Sequence, residues 1–128
     1  MKINDPLVLA EIEAASDRYE AALLSNELET LDASFWQDAR VLRISAKDEL
    51  QGIENIRRFR AGRAPTDAAR DYLSRDITSF GDHTAITNIT FLRKADARVG
   101  RQTQTWVRFD GNWRIVSAHI SFREIPNS

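Results

Sequence analysis

Residues 101–121, RQTQTWVRFDGNWRIVSAHIS, constrain the fold more than any other part of the chain. Asp110 and Gly111 stand between two runs that are rich in Thr, Val, Ile and Trp. An Asp-Gly pair between two such runs is the strongest short-range signal for a β-hairpin. The pattern predicts two antiparallel strands joined by a two-residue turn, and therefore a sheet that the rest of the chain extends and covers.

Polar side chains recur along both predicted strands. Because side chains alternate along a strand, Gln102 and Gln104 share one face of the first strand, and Ser117, His119 and Ser121 share one face of the second. Gln, His and Ser beside Trp and Val make a poor plain core but suit the lining of a pocket for a small polar molecule. We therefore expect both polar sets to face one pocket, where Gln104, His119 and Ser121 hydrogen-bond its occupant.

The rest of the chain shows helical and strand periodicities in a clear order. Asp5 can cap a first helix in which Pro6 occupies the first turn. The predicted elements are a helix from Pro6 to Asn26, a short helix with Leu28, Leu31 and Phe35, strands over 39–45 and 49–51, a helix from Gly52 closed by Ala64 and Pro65, and strands over 71–80 and 84–93. This order predicts an α+β fold: a curved antiparallel sheet wrapped around a long N-terminal helix, with two further helices, in the shape of a cone.

Composition narrows the class of protein. The length of 128 residues favours a single domain over residues 1–128. The balance of 18 Lys and Arg against 19 Asp and Glu argues against nucleic-acid binding, which requires a basic stripe. With no cysteine and two histidines, thiolate chemistry is excluded and a metal site or other cofactor is not expected. The N-terminal apolar stretch contains acidic residues and is too short for a signal peptide or a membrane span, so we expect a cytoplasmic protein that does not bind membranes.

Two residues are candidates for the chemistry of the predicted pocket. Tyr19 lies on the apolar stripe of the first helix, where it is either a core tyrosine or a phenol that points into the cone and donates to a substrate. Arg43 stands between Leu42 and Ile44 in a predicted strand. It is either exposed at a sheet edge or a bidentate clamp for a carboxylate in the pocket.

Three further residues have less specific patterns. Arg60 and Arg63 on the third helix are interpreted as solvated helix charges, the alternative being that they guide an anionic substrate to the pocket mouth. Trp36 follows Phe35 and is interpreted as part of the core or of a pocket wall that contacts the substrate.

Several motifs together resemble a known superfamily. They are RYEAAL at 18–23, FW at 35–36, the Arg of VLR at 43, FRAGRAP at 59–65, GRQTQTWV at 100–107 and WRIVSAHIS at 113–121. They are similar to the nuclear transport factor two-like, or ketosteroid-isomerase-like, superfamily and, within it, to the AtzH/HpxZ family of small nitrogen-catabolism proteins. The resemblance implies a cofactor-free decarboxylating amidohydrolase for a small anionic urea or amide, such as dicarboxyurea converted to allophanate in cyanuric acid or related catabolism. It also implies that Tyr19 and Arg43 are the family's functional pair.

The sequence is also compatible with other functions. The same cone is compatible with a non-catalytic protein that binds small carboxylates or assists an amidase, whereas steroid-type isomerisation needs a pocket carboxylate that the sequence does not place. The expected partners are a small anionic substrate, a functionally linked amidase and further copies of the chain. Because curved sheets of this kind expose strand surface, we expect a homodimer or a homotetramer.

Overall fold

The computed structural model describes residues 1–123 of the chain. The elements are α1 (Pro6–Ser25), α2 (Leu28–Ser34), β1 (Leu42–Ile44), β2 (Glu49–Gln51), α3 (Ile53–Gly62), a 3-10 turn (Pro65–Ala68), β3 (Arg70–Phe80), β4 (Thr84–Arg93), β5 (Val99–Phe109) and β6 (Asn112–Phe122). The predicted α+β class and the order of the elements are confirmed.

The strands form one six-stranded sheet in the order β2-β1-β6-β5-β4-β3. Neighbouring strands are antiparallel except β1 and β6, which are parallel. The prediction of an antiparallel sheet therefore holds for the meander, and the sheet as a whole is mixed. A parallel pair requires a long crossover, and here α3 and four strands lie between its two members.

The long first helix follows from its ends and its apolar stripe. The Asp5 carboxylate accepts a hydrogen bond from the Leu7 backbone N–H at 2.9 Å, and Pro6 occupies the first turn. Asn26 ends the helix in the left-handed conformation, with φ 54°. The buried stripe packs on the concave side of the sheet, called here the inner face, and consists of Val8, Ile12, Ala15, Ser16, Tyr19, Glu20, Ala22 and Leu23.

The hairpin of β5 and β6 turns at Asp110 and Gly111, as predicted. Both residues have positive φ, 49° and 79°, which suits the tight two-residue turns that match the twist of the strands. Beyond the turn the pairing shifts between Thr105 and Trp106, because β6 contains one extra residue, Val116, at that point. Such a bulge bends the sheet and helps it to curve around α1.

The sheet and α1 enclose the core, and one end of the cone stays open. Trp106, Phe35 and Ile115 are among the fully buried core side chains beneath the closed part. The open end lies between β1, α3, the 3-10 turn and the adjacent ends of β3, β4 and β6. Over residues 1–123, no helix combines the length and apolar character that crossing a bilayer requires.

Candidate anion-binding site

The open end of the cone contains a cavity of about 380 Å³ with a strongly basic wall. Two carboxylates of the cavity lining, those of Asp67 and Asp96, each lie 3.9 Å from the guanidinium of Arg93. The charged lining residues among residues 1–123 are Arg43, Lys47, Arg63, Arg70, Arg93 and Arg98, together with Asp48, Asp67 and Asp96. The wall therefore carries an excess of positive charge, which favours an anionic occupant.

Arg43 is the buried cation of this wall. It lies in β1 opposite Leu50 of β2 and Ala118 of β6, which fixes its side chain on the inner face, where it is 5% exposed. The guanidinium packs over the Phe59 ring, 4.2 Å from its centroid. Within the described part of the chain, its Nε and Nη1 atoms have no hydrogen-bond partner.

Burial dominates the electrostatics of Arg43, and the attraction of the nearby Asp48 offsets only part of it. Burial lowers the pKa of Arg43 to about 10; the Tyr19 hydroxyl counteracts this, and the charges of Arg60 and Arg63 add to it. The guanidinium is still protonated at neutral pH. Burying a cation without pairing it is unfavourable, so an arginine in this state is suited to receive an anion from outside the protein.

Tyr19 lies deeper than Arg43 and does not belong to the cavity lining. It is 3% exposed on the stripe of α1, and its ring meets Phe35 edge-on at 6.0 Å between centroids. Its hydroxyl accepts a hydrogen bond from Arg60 Nη2 at 2.5 Å. Tyr19 is therefore both a core residue and a phenol within electrostatic range of Arg43.

The interpretation of Arg60 as a solvated charge is wrong. Arg60 is 1% exposed because it follows Ile56 by four positions and Ile53 by seven, which places all three on the buried side of α3. Its guanidinium lies 5.5 Å from the Tyr19 ring centroid and 5.2 Å from that of Phe35.

Arg63, one turn farther along, also departs from the expectation of a solvated charge. It is half-buried, lines the cavity and contacts the Phe59 ring at 5.5 Å. Burial lowers its pKa first, and the neighbouring Arg60 charge lowers it further. Arg63 thus adds to the positive potential inside the cavity.

Arg70 is a cavity residue that the sequence did not reveal. It stands at the start of β3 and is 9% exposed. Its Nη1 donates to Gln102 Oε1 at 3.2 Å, and Gln102 in turn donates from Nε2 to Glu20 Oε2 at 3.0 Å. The buried position of Glu20 could have been predicted from the sequence, because this acidic residue follows Ser16 by four positions and so lies on the apolar stripe of α1.

Gln104 and Trp36 lie outside the cavity lining. Gln104 is buried and accepts a hydrogen bond from Thr87 Oγ1 at 3.4 Å, while Thr87 accepts one from Trp106 Nε1 at 3.0 Å. Of the two alternatives for Trp36, the pocket wall is not observed, whereas the residue does pack, partly buried, against the core. Trp36 also stacks on Phe109, with 5.7 Å between centroids, at the turn end of the hairpin.

The expectation that His119 and Ser121 line the pocket is also wrong. Both are exposed on the convex side of the sheet, called here the outer face, whereas Gln102 and Gln104 are buried on the inner face. His119 pairs with Thr103, and Gln104 pairs with Ala118. Residues that pair directly share a face, so the observed register separates the two polar sets.

The site as a whole is chemically suited to a small anion. Buried guanidinium groups line it, aromatic rings pack beneath them, and the Tyr19 phenol lies behind this wall. Among residues 1–123, no group of three or more His, Cys, Asp or Glu side chains is arranged to hold a metal ion. The arrangement can therefore bind a carboxylate.

Comparisons with known proteins agree with this fold. The chain is 40% identical to a protein of unknown function from Pectobacterium atrosepticum, with a TM-score of 0.91 and 95% of both chains covered. It is 34% identical to a cystatin-like fold protein from Burkholderia xenovorans, with a TM-score of 0.92 and coverage of 98% and 99%. A nuclear transport factor two-like protein of unknown function from Shewanella oneidensis shares the fold alone, at 16% identity, a TM-score of 0.70 and coverage of 88% and 98%.

Sequence comparison identifies the family. No curated protein matches the chain. The sequence profile of the AtzH-like family matches residues 1–125. This match spans nearly the whole chain and confirms the resemblance drawn from the motifs, and the chain therefore belongs to the AtzH-like family.

Proposed function

We propose that the protein is an enzyme that binds a small carboxylated urea or amide in the basic cavity and removes a carboxyl group from nitrogen. Dicarboxyurea, converted to allophanate, is the substrate type that we propose. The observation that carries the proposal is the buried Arg43 guanidinium, whose Nε and Nη1 have no partner among the described residues although it faces an anion-sized cavity. Membership of the AtzH-like family supports the same reaction class.

Arg43 is assigned to the substrate carboxylate. A guanidinium offers two parallel N–H donors that match the two oxygens of a carboxylate. The Phe59 ring on one side of Arg43 keeps the fork oriented without using its donors. An ionic hydrogen bond of this kind contributes roughly 1.5–3 kcal/mol, or about 10- to 100-fold in affinity.

Tyr19 is assigned to proton donation. A proton joins the substrate nitrogen, the C–N bond breaks with its electron pair on that nitrogen, and the carboxyl carbon leaves as CO2. Donation of the same proton to the carbonyl oxygen is the alternative role of the phenol. The Arg60 side chain at 2.5 Å stabilises the phenolate that either transfer leaves behind, and water returns the proton.

The test is turnover of freshly prepared dicarboxyurea, followed by NMR against its spontaneous decay. We expect Tyr19→Phe to lower kcat by about a hundredfold, since it removes a general acid. Arg43→Gln should lower kcat/KM by roughly 10- to 100-fold. Arg101→Gln, which removes an exposed arginine of the outer face, is the matched control and should behave as the wild type. Equal rates in all four proteins would refute the proposal.

A second function is favoured by one observation. Tyr19 is packed behind the cavity wall, so the cavity can hold a carboxylate without contact to the phenol. The protein would then be a carboxylate-binding or amidase-accessory protein. Binding of a small carboxylate that depends on Arg43, with no turnover of dicarboxyurea and no effect of Tyr19→Phe, would establish this alternative.

A further inference from the structure

Arg70 is held in one orientation from three directions. Its Nε donates to the Ala68 carbonyl at 3.0 Å, and its Nη1 donates to Gln102 Oε1 at 3.2 Å. The guanidinium carbon lies 3.8 Å from the centroid of the Phe91 ring, which covers one face of the group. A surface arginine would not have its donors and its flat face fixed at the same time.

The ring beneath Arg70 has its position set by a glycine. A β-carbon at Gly100 would come within 2.3 Å of Phe91 Cζ, so only a residue without a side chain leaves room for the ring. Phe91 is 1% exposed and packs edge-on against Phe122 at 5.9 Å. The Gly100 backbone therefore supports Phe91, and Phe91 supports Arg70.

A buried carboxylate fixes the amide that Arg70 contacts. Gln102 donates from Nε2 to Glu20 Oε2 at 3.0 Å, which turns its Oε1 toward Arg70. The second oxygen of Glu20 accepts from the Tyr72 hydroxyl at 2.8 Å. Burial, and then the Glu20 charge, raise the pKa of Tyr72, so this phenol stays protonated and remains a donor.

Arg70 and Arg43 both line the same cavity. The pKa of Arg63 is lowered first by burial, then by the charge of Arg60, and to a smaller extent by that of Arg70. The charge of Arg63 in turn contributes to the lowered pKa of Arg43. Arg63 therefore lies within electrostatic range of both. Of the wall carboxylates, Asp67 and Asp96 are directed to Arg93.

The Nη2 nitrogen of the Arg70 guanidinium is available to donate to a ligand in the cavity. Among residues 1–123, Nη2 takes part in no hydrogen bond to the protein, while Nε and Nη1 are both used. We propose that Arg70 is a second anion-holding group, positioned by Gln102, Glu20, Phe91 and Gly100, so that the cavity selects small molecules with two acidic groups. This inference rests on the proposed function in assigning the first acidic group to Arg43.

The experiment compares two probes that share one skeleton, malonate and monomethyl malonate, by calorimetric titration at constant ionic strength. In the wild type we expect malonate to bind at least about tenfold more tightly than its monoester, since only malonate engages both arginines. Arg70→Gln should reduce that ratio to near one. Arg101→Gln should leave it unchanged. A ratio that Arg70→Gln does not alter, or a wild-type protein that does not bind malonate, overturns the proposal.

Two further variants separate a binding role of Arg70 from a structural one. Arg70→Lys keeps the charge but lacks the fork, so the malonate preference should fall only in part. Gln102→Leu keeps Arg70 but removes its orienting partner, and should lower the preference while the thermal unfolding of the protein remains cooperative. If Arg70→Lys and Arg70→Gln retain the full preference, Arg70 does not hold the second group.

The outcomes also distinguish this inference from the proposed function. Turnover of dicarboxyurea that depends on Arg43, together with an unchanged malonate ratio in Arg70→Gln, would leave the enzyme proposal standing and remove the second subsite. A malonate preference that depends on Arg70, without any turnover of dicarboxyurea, would support the second subsite and remove the enzyme proposal.

Discussion

The Tyr19 hydroxyl accepts a hydrogen bond from Arg60 Nη2, with 2.5 Å between the nitrogen and the oxygen. A guanidinium has no acceptor, so the hydroxyl cannot give its own hydrogen to Arg60 and keeps it for another group. In the proposed reaction that group is the substrate. The pair therefore leaves Tyr19 its donor function and places a positive charge where the phenolate would form.

Arg60→Met tests this relationship. We expect kcat to fall by about 10- to 100-fold, because the developing phenolate loses an ionic hydrogen bond of roughly 1.5–3 kcal/mol. KM should change much less, because Arg60 does not line the cavity. Steady-state kinetics on dicarboxyurea measures both constants. Arg58→Met, on the exposed side of the same helix, is the control, and an unchanged kcat in Arg60→Met would contradict the prediction.

Arg43→Met should make the ligand-free protein more stable while weakening anion binding by roughly 10- to 100-fold. Replacing a buried charge by an apolar side chain of similar length removes the unfavourable dehydration of that charge, a gain on the order of 1–3 kcal/mol in the free energy of unfolding. Urea denaturation with and without malonate measures the effect. At the same malonate concentration, the wild type should be stabilised more than the variant. A less stable Arg43→Met protein would show that the arginine serves the fold rather than a ligand.

Gly100→Ala should destabilise the protein by about 1–3 kcal/mol, because its β-carbon would displace the buried Phe91 ring. Gly62→Ala is the matched control. No atom lies within 4 Å of a β-carbon at Gly62, which ends α3, so alanine there should be neutral or stabilising by up to about 1 kcal/mol. Thermal and urea unfolding of both variants measures the difference. Equal stability of the two variants would mean that the ring moves freely.

The stability of the protein should depend on the charge of Asp5 in the acidic range. A hydrogen bond from Lys2, followed by one from the Leu7 backbone N–H, holds the pKa of Asp5 below its usual 3.8. The folded state therefore binds this proton less readily than the unfolded state, and the stabilisation is complete above about pH 4 and lost as the pH falls through the lowered pKa. Asp5→Asn should thus lower the urea midpoint at pH 7, and this difference should shrink steadily as the pH falls below about 4. A midpoint difference that stays the same size as the pH is lowered would exclude this charge effect.

Much of the fold could be predicted from the sequence because its local signals are strong. The cap at Asp5, the turn at Asp110 and Gly111 and the alternating strands of the meander each have a direct physical cause, and each is found in the structure. The first strand is shorter than predicted, since pairing covers only Leu42–Ile44. The oligomer, the cytoplasmic location and the link to an amidase stay predictions.

A single bulge explains the error at the hairpin. Near the turn, Trp106 pairs with Ile115, and an unbroken register would then pair Gln104 with Ser117 and so place the two polar sets on one face. The extra residue Val116 moves Ser117 opposite Thr105, which sends the polar set of β6 to the outer face. No residue type in this segment signals the bulge, so strand alternation alone could not reveal it.

The cavity could be predicted only in part. A strand arginine between apolar neighbours is unusual, and of its two predicted positions the structure shows Arg43 buried in the cavity lining. The charge of Arg60 indicates a solvated residue, whereas its spacing from Ile53 and Ile56 indicates the buried side of α3, and the spacing prevails in the structure. Arg70 and its support by Gly100 depend on contacts between strands that are distant in sequence, which periodicity does not encode.

The parallel pairing of β1 with β6 also affects the stage of folding at which the protein becomes able to bind an anion. Arg43 takes its place in the sheet only when Ala118, near the far end of the chain, lies beside it. Closing so long a loop is entropically unfavourable, and contacts of this kind form late in folding. By the same argument, α1 and the β3–β4 hairpin involve shorter loops and can form earlier, whereas the anion site is complete only once β6 has docked beside β1.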